Sequence, residues 1–296
     1  MRLIPCKGGD LRRKFVLLSP RRSHSSFFCD SSVDASLHRQ LLADAQRLRG
    51  SVYLQIGATE SSQLSSDGRH VQADDSRSWH LLTLDERGRV AACTRYLSHP
   101  STVSFSELTV AHSALATDPS WGRRFRQAIE AELALAKKRR WSYVEMGGWV
   151  ISEKMRCTTE AVRMVLAAYG LAQVLGGALG IATVTQHGSS PILRRIGGES
   201  LLSRGVEMPP YYEPQYKYEM EILRFDSSRP NARYSTWVND CRTFLQTVPV
   251  ICAKPAQRPL EEIQIAAANS FRHTDQTPSL DEISGPAAWE RSTGVA

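Results

Sequence analysis

The residues with the clearest chemical potential surround Glu145, in Tyr143-Val144-Glu145-Met146-Gly147-Gly148-Trp149-Val150. A carboxylate followed by paired glycines, inside a run of aromatic and β-branched residues, reads as a strand that bends where a ligand or another backbone comes close. At such a bend Glu145 is placed to take a proton from a nucleophile, directly or through water. Arg95, in Cys93-Thr94-Arg95-Tyr96, and Arg49, four places before Tyr53, offer guanidinium forks for a carboxylate. Asp74 and Asp75 offer partners for an amine. Past the glycines, Arg156, Thr158 and Thr159 stand at a helix start, where backbone N–H groups suit a phosphate. Tyr211 and Tyr212 offer a hydroxyl for a leaving thiolate or a wall for an apolar chain, and His80 and His187 are further acid–base groups. Each also has a plain structural reading: strand relief for the glycines, capping for the threonines, surface charge for the arginines, a polar turn for the aspartates and packing for Tyr212.

The elements that must position these residues follow from periodicity. Ser142 to Ser152 reads as the bent strand and Leu179 to Thr185 as a second, parallel one. Between them Val162, Val165, Leu166, Tyr169, Ala172 and Leu175 fall on one helical face, with Thr158 as N-cap and Gly176-Gly177 as the stop. This strand–helix–strand unit leads into a short helix over Ile192 to Ile196, opened by Ser189-Ser190-Pro191. Upstream, Ala35 to Leu48 is an amphipathic helix capped by Asp34 and stopped by Gly50, and Ser51 to Asp75 is a long polar loop. Ser78 to Leu84 and Arg89 to Tyr96 form a hairpin, and a long helix opened by Asp118-Pro119, with Trp121, Phe125, Ala128, Ile129, Leu133 and Ala136 on one side, ends in Lys137 to Arg140. Tyr218 to Phe225 reads as the last strand and Arg233 to Gln246 as a helix. The expected division is a basic N-terminal arm over 1–34 with one strand at Phe15 to Leu18, a main domain over 35–226, a C-terminal helical extension over 227–252, and a loosely ordered tail over 253–296.

A chain of 296 residues, 42% hydrophobic and 23% charged, can bury a substantial core and fits a soluble globular protein. Its net charge of +7 is concentrated in clusters such as Lys137 to Arg140 and Arg194-Arg195, which suit an anionic membrane surface, an acidic protein or a phosphorylated ligand. Nucleic acid is not expected, because no nucleic-acid motif is present and the clusters sit on separate elements. Six scattered cysteines, without CxxC or histidines at zinc spacing, imply no metal site and no disulfide framework. No apolar run reaches a membrane-spanning length, so a cytoplasmic location is expected; nothing in the sequence sets the oligomeric state.

Five short motifs in order resemble one branch of the GNAT (N-acetyltransferase-like) fold, the branch of acyl-homoserine-lactone (autoinducer) synthases and long-chain N-acyl amino acid synthases. They are Arg49 with Tyr53; the acidic loop of Asp67-Gly68-Arg69-His70 and Asp74-Asp75; Arg95 closing the hairpin; Tyr143-Val144-Glu145; and Leu193-Arg194-Arg195-Ile196-Gly197. The resemblance covers about Leu41 to Phe225. It implies an α/β (α+β) fold with a central mixed twisted sheet splayed between two parallel strands and helices on both faces. It also implies acyl transfer from a phosphopantetheine thioester, of acyl-carrier protein or acyl-CoA as co-substrate, to a small-molecule amine, with no permanently bound cofactor. On that reading Glu145, Arg95 and Tyr212 are catalytic. Gly147, Gly148, Trp149, Val150, Arg156, Thr158 and Thr159 hold the donor, and Arg49, Tyr53, Asp74 and Asp75 the acceptor. Two family features are missing: an Arg shortly after the Glu, and a Q/R-x-x-G-x-G/A pyrophosphate loop at 153–158, which favours a carrier protein over coenzyme A. The alternatives are an acetyl-CoA-dependent N-acetyltransferase and a non-catalytic GNAT-like binding protein.

Overall fold

The structure, a computed structural model, describes residues 15–20 and 27–254; most of the expected N-terminal arm and tail lies outside them. The described elements run β1 (Phe15–Leu18), β2 (Ser31–Val33), α1 (Ala35–Gln55), β3 (Trp79–Leu84), β4 (Val90–His99), α2 (Ala114–Thr117), α3 (Gly122–Arg139), β5 (Ser142–Ile151), α4 (Glu160–Val174), β6 (Ala178–Thr185), α5 (Ser190–Ile196), β7 (Glu199–Ser200), β8 (Leu202–Ser203), β9 (Val206–Glu207), β10 (Tyr211–Glu213), β11 (Tyr218–Asp226), α6 (Ser235–Leu245) and β12 (Val250–Cys252). Short 3₁₀ turns at Ala73–Arg77 and Thr109–His112 matter for the site.

One sheet runs in the order β10-β11-β6-β5-β4-β3-β1-β12-β2, with β7 paired to β11. The β5–β6 pair is parallel, as expected for strands joined by a crossover helix, whereas β3–β4, β4–β5 and β6–β11 are antiparallel. The sheet reaches beyond 35–226 at both ends, because β1 pairs antiparallel with β3 and parallel with β12. Tyr218–Asp226 is therefore not the last strand. Alternation explains why β1 and β12 belong: Phe15 and Leu17 join the core under α4, while Val16, Leu18 and Ile251 join the core under α1.

Each face carries its helices. Met164, Ala167, Ala168, Leu171 and Ala172 of α4 pack on Trp79, Ala92, Tyr96 and Val144, with Leu245 of α6 in the same cluster. On the opposite face Phe125, Ala128, Ile129, Leu133 and Ala136 of α3 cover Tyr143, Leu179, Ile181 and Ile222, and Leu41 and Ala45 of α1 cover Leu82 and Cys93. Of the residues expected on that face, Trp121 is the half-buried N-cap and the other five are buried.

The sheet opens between its two central strands. Parallel pairing holds from Ser142↔Ala178 to Met146↔Ala182 and then ends. Beyond that point β5 continues along β4, reaching Ile151↔Ala92, while Thr183, Val184 and Thr185 of β6 pair with β11. Gly148, at φ +59°, turns β5 away, and the β4–β5 register shifts between Cys93 and Arg95 at the same level.

Helix α1 begins where expected, its first turn held by the Asp34 carboxylate, which accepts from the Ser36 and Leu37 N–H groups. It does not stop at Gly50 but runs about one and a half turns further, to Gln55. Gly50 is there for contact, not termination: a Cβ would overlap the carbonyl oxygen of Gly68, and the His70 N–H donates to the carbonyl of Gln46 beside it. Because the obstacle is backbone, Gly50→Ala should destabilise the fold by about 1–3 kcal/mol despite the higher helix propensity of alanine, read as a fall in the urea midpoint. An unchanged or higher midpoint would show that the 68–70 segment yields freely.

Candidate active site

The opening between β5 and β6 is the centre of a cavity of about 410 Å³ that passes through the sheet. On the α4 side its wall is apolar, with Met146, Trp149, Val165, Ala168, Ala172 and Leu193. On the α1/α3 side it is polar and aromatic, with Tyr53, Gln72, Arg95, Glu145, Tyr211, Glu213 and Tyr216. The alternation of β5 makes this division, since Val144 and Met146 face α4 while Tyr143 and Glu145 face α3.

Glu145 is 6% exposed and held from three directions. Its Oε1 accepts from the Thr109 N–H (2.8 Å) and lies 3.0 Å from His99 Nε2, and its Oε2 accepts from the Val110 N–H (2.8 Å). A carboxylate has about four acceptor positions, so one remains. Arg95, also 6% exposed, donates from Nη1 to Gln72 Oε1 (2.7 Å), and its Nε has no partner among the described residues. Gln72 in turn donates to the Tyr216 hydroxyl (3.2 Å), and Tyr216 meets Tyr53 edge-on at 6.0 Å.

The two glycines of the bend are explained by these arginines. A Cβ on Gly147 would lie 3.3 Å from Arg95 Nη2, and one on Gly148 would lie 3.0 Å from Arg49 Nη1. Arg49 itself does not line the cavity. Its fork is spent on Asp75 (Nη1 to Oδ1 3.1 Å, Nη2 to Oδ2 2.6 Å) and on the His70 carbonyl, with both side chains 3% exposed. Asp75 also accepts from Gln46 Nε2 and the Gln72 N–H, and Asp74 pairs with Arg77 and accepts from Thr109 Oγ1. Arg49, Asp74 and Asp75, expected to meet the acceptor, instead fasten the loop that carries Gln72.

Of the other expected residues, Tyr53, Gly147, Gly148, Trp149 and Val150 do line the cavity. Arg156, Thr158 and Thr159 do not; they are exposed just before α4, where Thr158 Oγ1 donates to the Met155 carbonyl and accepts from the Glu160 N–H. Tyr212 is 52% exposed and outside the cavity. Its neighbour Tyr211 takes the inward place because successive residues of β10 point to opposite faces. His187 is exposed on the turn after β6. Sequence reasoning missed Gln72, His99, Glu213 and Tyr216, and of the pair Tyr211-Tyr212 it took the outward residue as catalytic. The alternation of Tyr211-Tyr212-Glu213 paired the first and third of these, but nothing local said which face was inside. Among the described residues no group of His, Cys, Asp and Glu is arranged to hold a metal ion, and no helix is long and apolar enough to cross a membrane.

Neither a family model nor a curated relative matches the sequence. Among solved structures, BjaI, a CoA-dependent acyl-homoserine lactone synthase solved with SAM and isopentyl-CoA, matches 87% of this chain and 99% of its own at a TM-score of 0.50 and 14% identity. The chain shares the fold of that structure. It is the splayed, GNAT-type sheet that the motifs implied. Fainter likenesses are to the CoA-dependent synthase MesI (78% of this chain and 95% of that one, TM-score 0.47, 13% identity) and to FeeM, an N-acyl amino acid synthase from uncultured soil microbes (66% and 88%, 0.40, 9%).

The buried groups that fasten the loop carrying Gln72 make its stability depend on pH. His80, 2% exposed, donates from Nε2 to the Asp75 carbonyl (2.8 Å), and burial pushes its pKa down to about 4. Burial opposes ionisation of Asp75, but the bonds and charge of Arg49 outweigh it and hold its pKa below the usual range. Between pH 6.5 and 4 the unfolded chain binds a proton at His80 that the folded chain does not. Stability present above about pH 6.5 is therefore lost as pH falls towards about 4, by about 3 kcal/mol for His80, with the loss from Asp75 following below that. Urea midpoints at about pH 7 and about pH 4.5 should differ accordingly, and His80→Gln, which keeps an N–H donor, should flatten the difference. An equally steep loss in the variant would put the acid sensitivity elsewhere.

Proposed function

We propose that the protein is an N-acyltransferase that moves an acyl group from a phosphopantetheine thioester to the amine of an amino acid or similar small molecule. The observation that carries this reading is the opening of the sheet after Met146 and Ala182, with a cavity through it that is apolar on one side and polar on the other. Backbone groups of β5 that face β6 beyond Met146 have no ladder partner there, and an amide-containing arm such as pantetheine can pair with them. The apolar wall under α4 suits the acyl chain, and a volume of about 410 Å³ suits a chain longer than acetyl. Acceptor and donor then meet from opposite faces at the bend.

In the transfer, the amine nitrogen attacks the thioester carbonyl, the C–N bond forms, the C–S bond breaks and the thiolate leaves. The amine's proton goes to Glu145 through its one remaining acceptor position, and His99 behind it offers a route onward. Arg95, with its unpartnered Nε, takes the acceptor's carboxylate. The isopentyl-CoA bound to BjaI makes acyl-CoA one arm of the assay, and the missing pyrophosphate loop makes acyl-carrier protein the other.

The test is release of free thiol from acyl-CoA and acyl-carrier protein with a panel of amino acids, with the product identified by mass. Amine-dependent release from either donor supports the reading; none from either, with a folded protein, sinks it. Arg95→Lys keeps the charge but loses the planar fork, so the acceptor KM should rise about tenfold with the donor KM unchanged. A rise in the donor KM instead would move Arg95 to the thioester. Glu145→Gln should lower kcat by about 10²-fold or more. Its amide must also turn an N–H₂ towards Thr109 or Val110, at a cost of about 1–3 kcal/mol in stability. A folded variant with wild-type kcat would leave Glu145 as a clamp alone.

A further inference from the structure

Glu213 has no role in that transfer, yet it lies in the wall of the same cavity and is 9% exposed. Its Oε2 accepts from the Ala114 N–H (3.0 Å), while its Oε1 has no hydrogen-bond partner among the described residues. Tyr211, two places earlier on the same face of β10, is also 9% exposed, and its hydroxyl lies beside Thr183 and Ser113 without completing a bond to either. Tyr216 stands within electrostatic reach of both Arg95 and Glu213, so the polar half of the cavity runs from a guanidinium to a carboxylate past aromatic rings. A free carboxylate oxygen flanked by tyrosines favours a cation.

The two carboxylates hold one segment. Glu145 holds the N–H groups of Thr109 and Val110, and Glu213 holds that of Ala114. Both carboxylates also line the cavity, so this one segment sets them along the same wall. An amino acid with its amine at Glu145 and a cationic nitrogen at the end of its side chain, such as ornithine or lysine, offers a partner to each carboxylate. An amino acid with an apolar side chain would leave the Glu213 carboxylate without a counter-charge.

We propose that the acceptor is an amino acid whose side chain ends in a cationic nitrogen, and that Glu213, with Tyr211 and Tyr216 beside it, binds that group. This deepens the acyl-transfer reading and rests on it for the acceptor's other end. Binding calorimetry with lysine and norleucine, and with ornithine and norvaline, compares pairs of similar length that differ in the cation. The wild type should bind the cationic member at least about tenfold more tightly, and in Glu213→Gln the affinity for lysine should fall to that for norleucine. The glutamine still offers an oxygen to the Ala114 N–H, so α2 keeps its anchor, which an unchanged melting temperature checks. Equal binding of lysine and norleucine by the wild type overturns the proposal, as do a preference that survives in Glu213→Gln and a variant that weakens both ligands by the same factor. The thiol-release assay separates the two readings: selective lysine binding without turnover removes acyl transfer and leaves Glu213 as a cation site, whereas turnover of norleucine equal to that of lysine does the reverse.

Discussion

The buried Arg49–Asp75 pair is the interaction on which the rest of the site depends. With both side chains 3% exposed, it gives up hydration that only close, multiple bonds can replace, and the bidentate contact, the His70 carbonyl, Gln46 and the Gln72 N–H supply them. Removing one partner would strand the other charge in the interior. The pair also fixes three pieces of chain at once: α1 through Arg49, the loop through Asp75, and the bend through Gly148, which leaves room for the guanidinium. His80 extends the anchor into β3. The position of Gln72, and through it of Arg95, is a consequence of this cluster.

Clamping by buried carboxylates recurs on the other side of the cavity. The segment from Thr109 to Ala114 is held by Glu145 from β5 and Glu213 from β10, with Asp74 reaching Thr109 Oγ1 from the loop. Backbone N–H groups at the starts of short helices lack internal partners, so acidic side chains are natural ligands for them. Glu145 and Glu213 thus hold this segment and also line the cavity. The segment after α1 is also tied to the β10–β11 turn, since Tyr218 donates to the Ile56 carbonyl and Lys217 pairs with Glu60.

The division of the cavity into an apolar and a polar half follows from the sheet itself. Neighbouring residues of a strand face opposite sides, so a strand that parts from its partner presents an apolar face to one side of the gap and a polar face to the other. In β5 this sets Glu145 on the α3 side and Met146 on the α4 side. Opening the sheet costs ladder bonds between β5 and β6, and the continued pairing of β5 with β4 and of β6 with β11 limits that cost to one edge of each strand.

The sequence by itself determined the elements with strong periods and clear ends: the bent strand with its glycines, the crossover helix and parallel strand, α3 with its inward face, the hairpin, and the Asp34 cap. These rest on interactions between residues close in the chain, which composition and spacing record. It also identified Glu145, Arg95, Tyr53 and the 147–150 bend, all of which line the cavity. What only the tertiary structure decided is which polar groups are already satisfied. Arg49 and Asp75, 26 residues apart, neutralise each other, and a one-residue alternation exchanges Tyr212 for Tyr211. Gly50 reads as a helix stop until the carbonyl of Gly68 is found against it, and β12, inside the expected helical extension, is a strand only because it meets β1. Contacts between distant segments leave no periodic trace in the chain, and a charged or aromatic residue looks the same in sequence whether its partner is a ligand or another side chain.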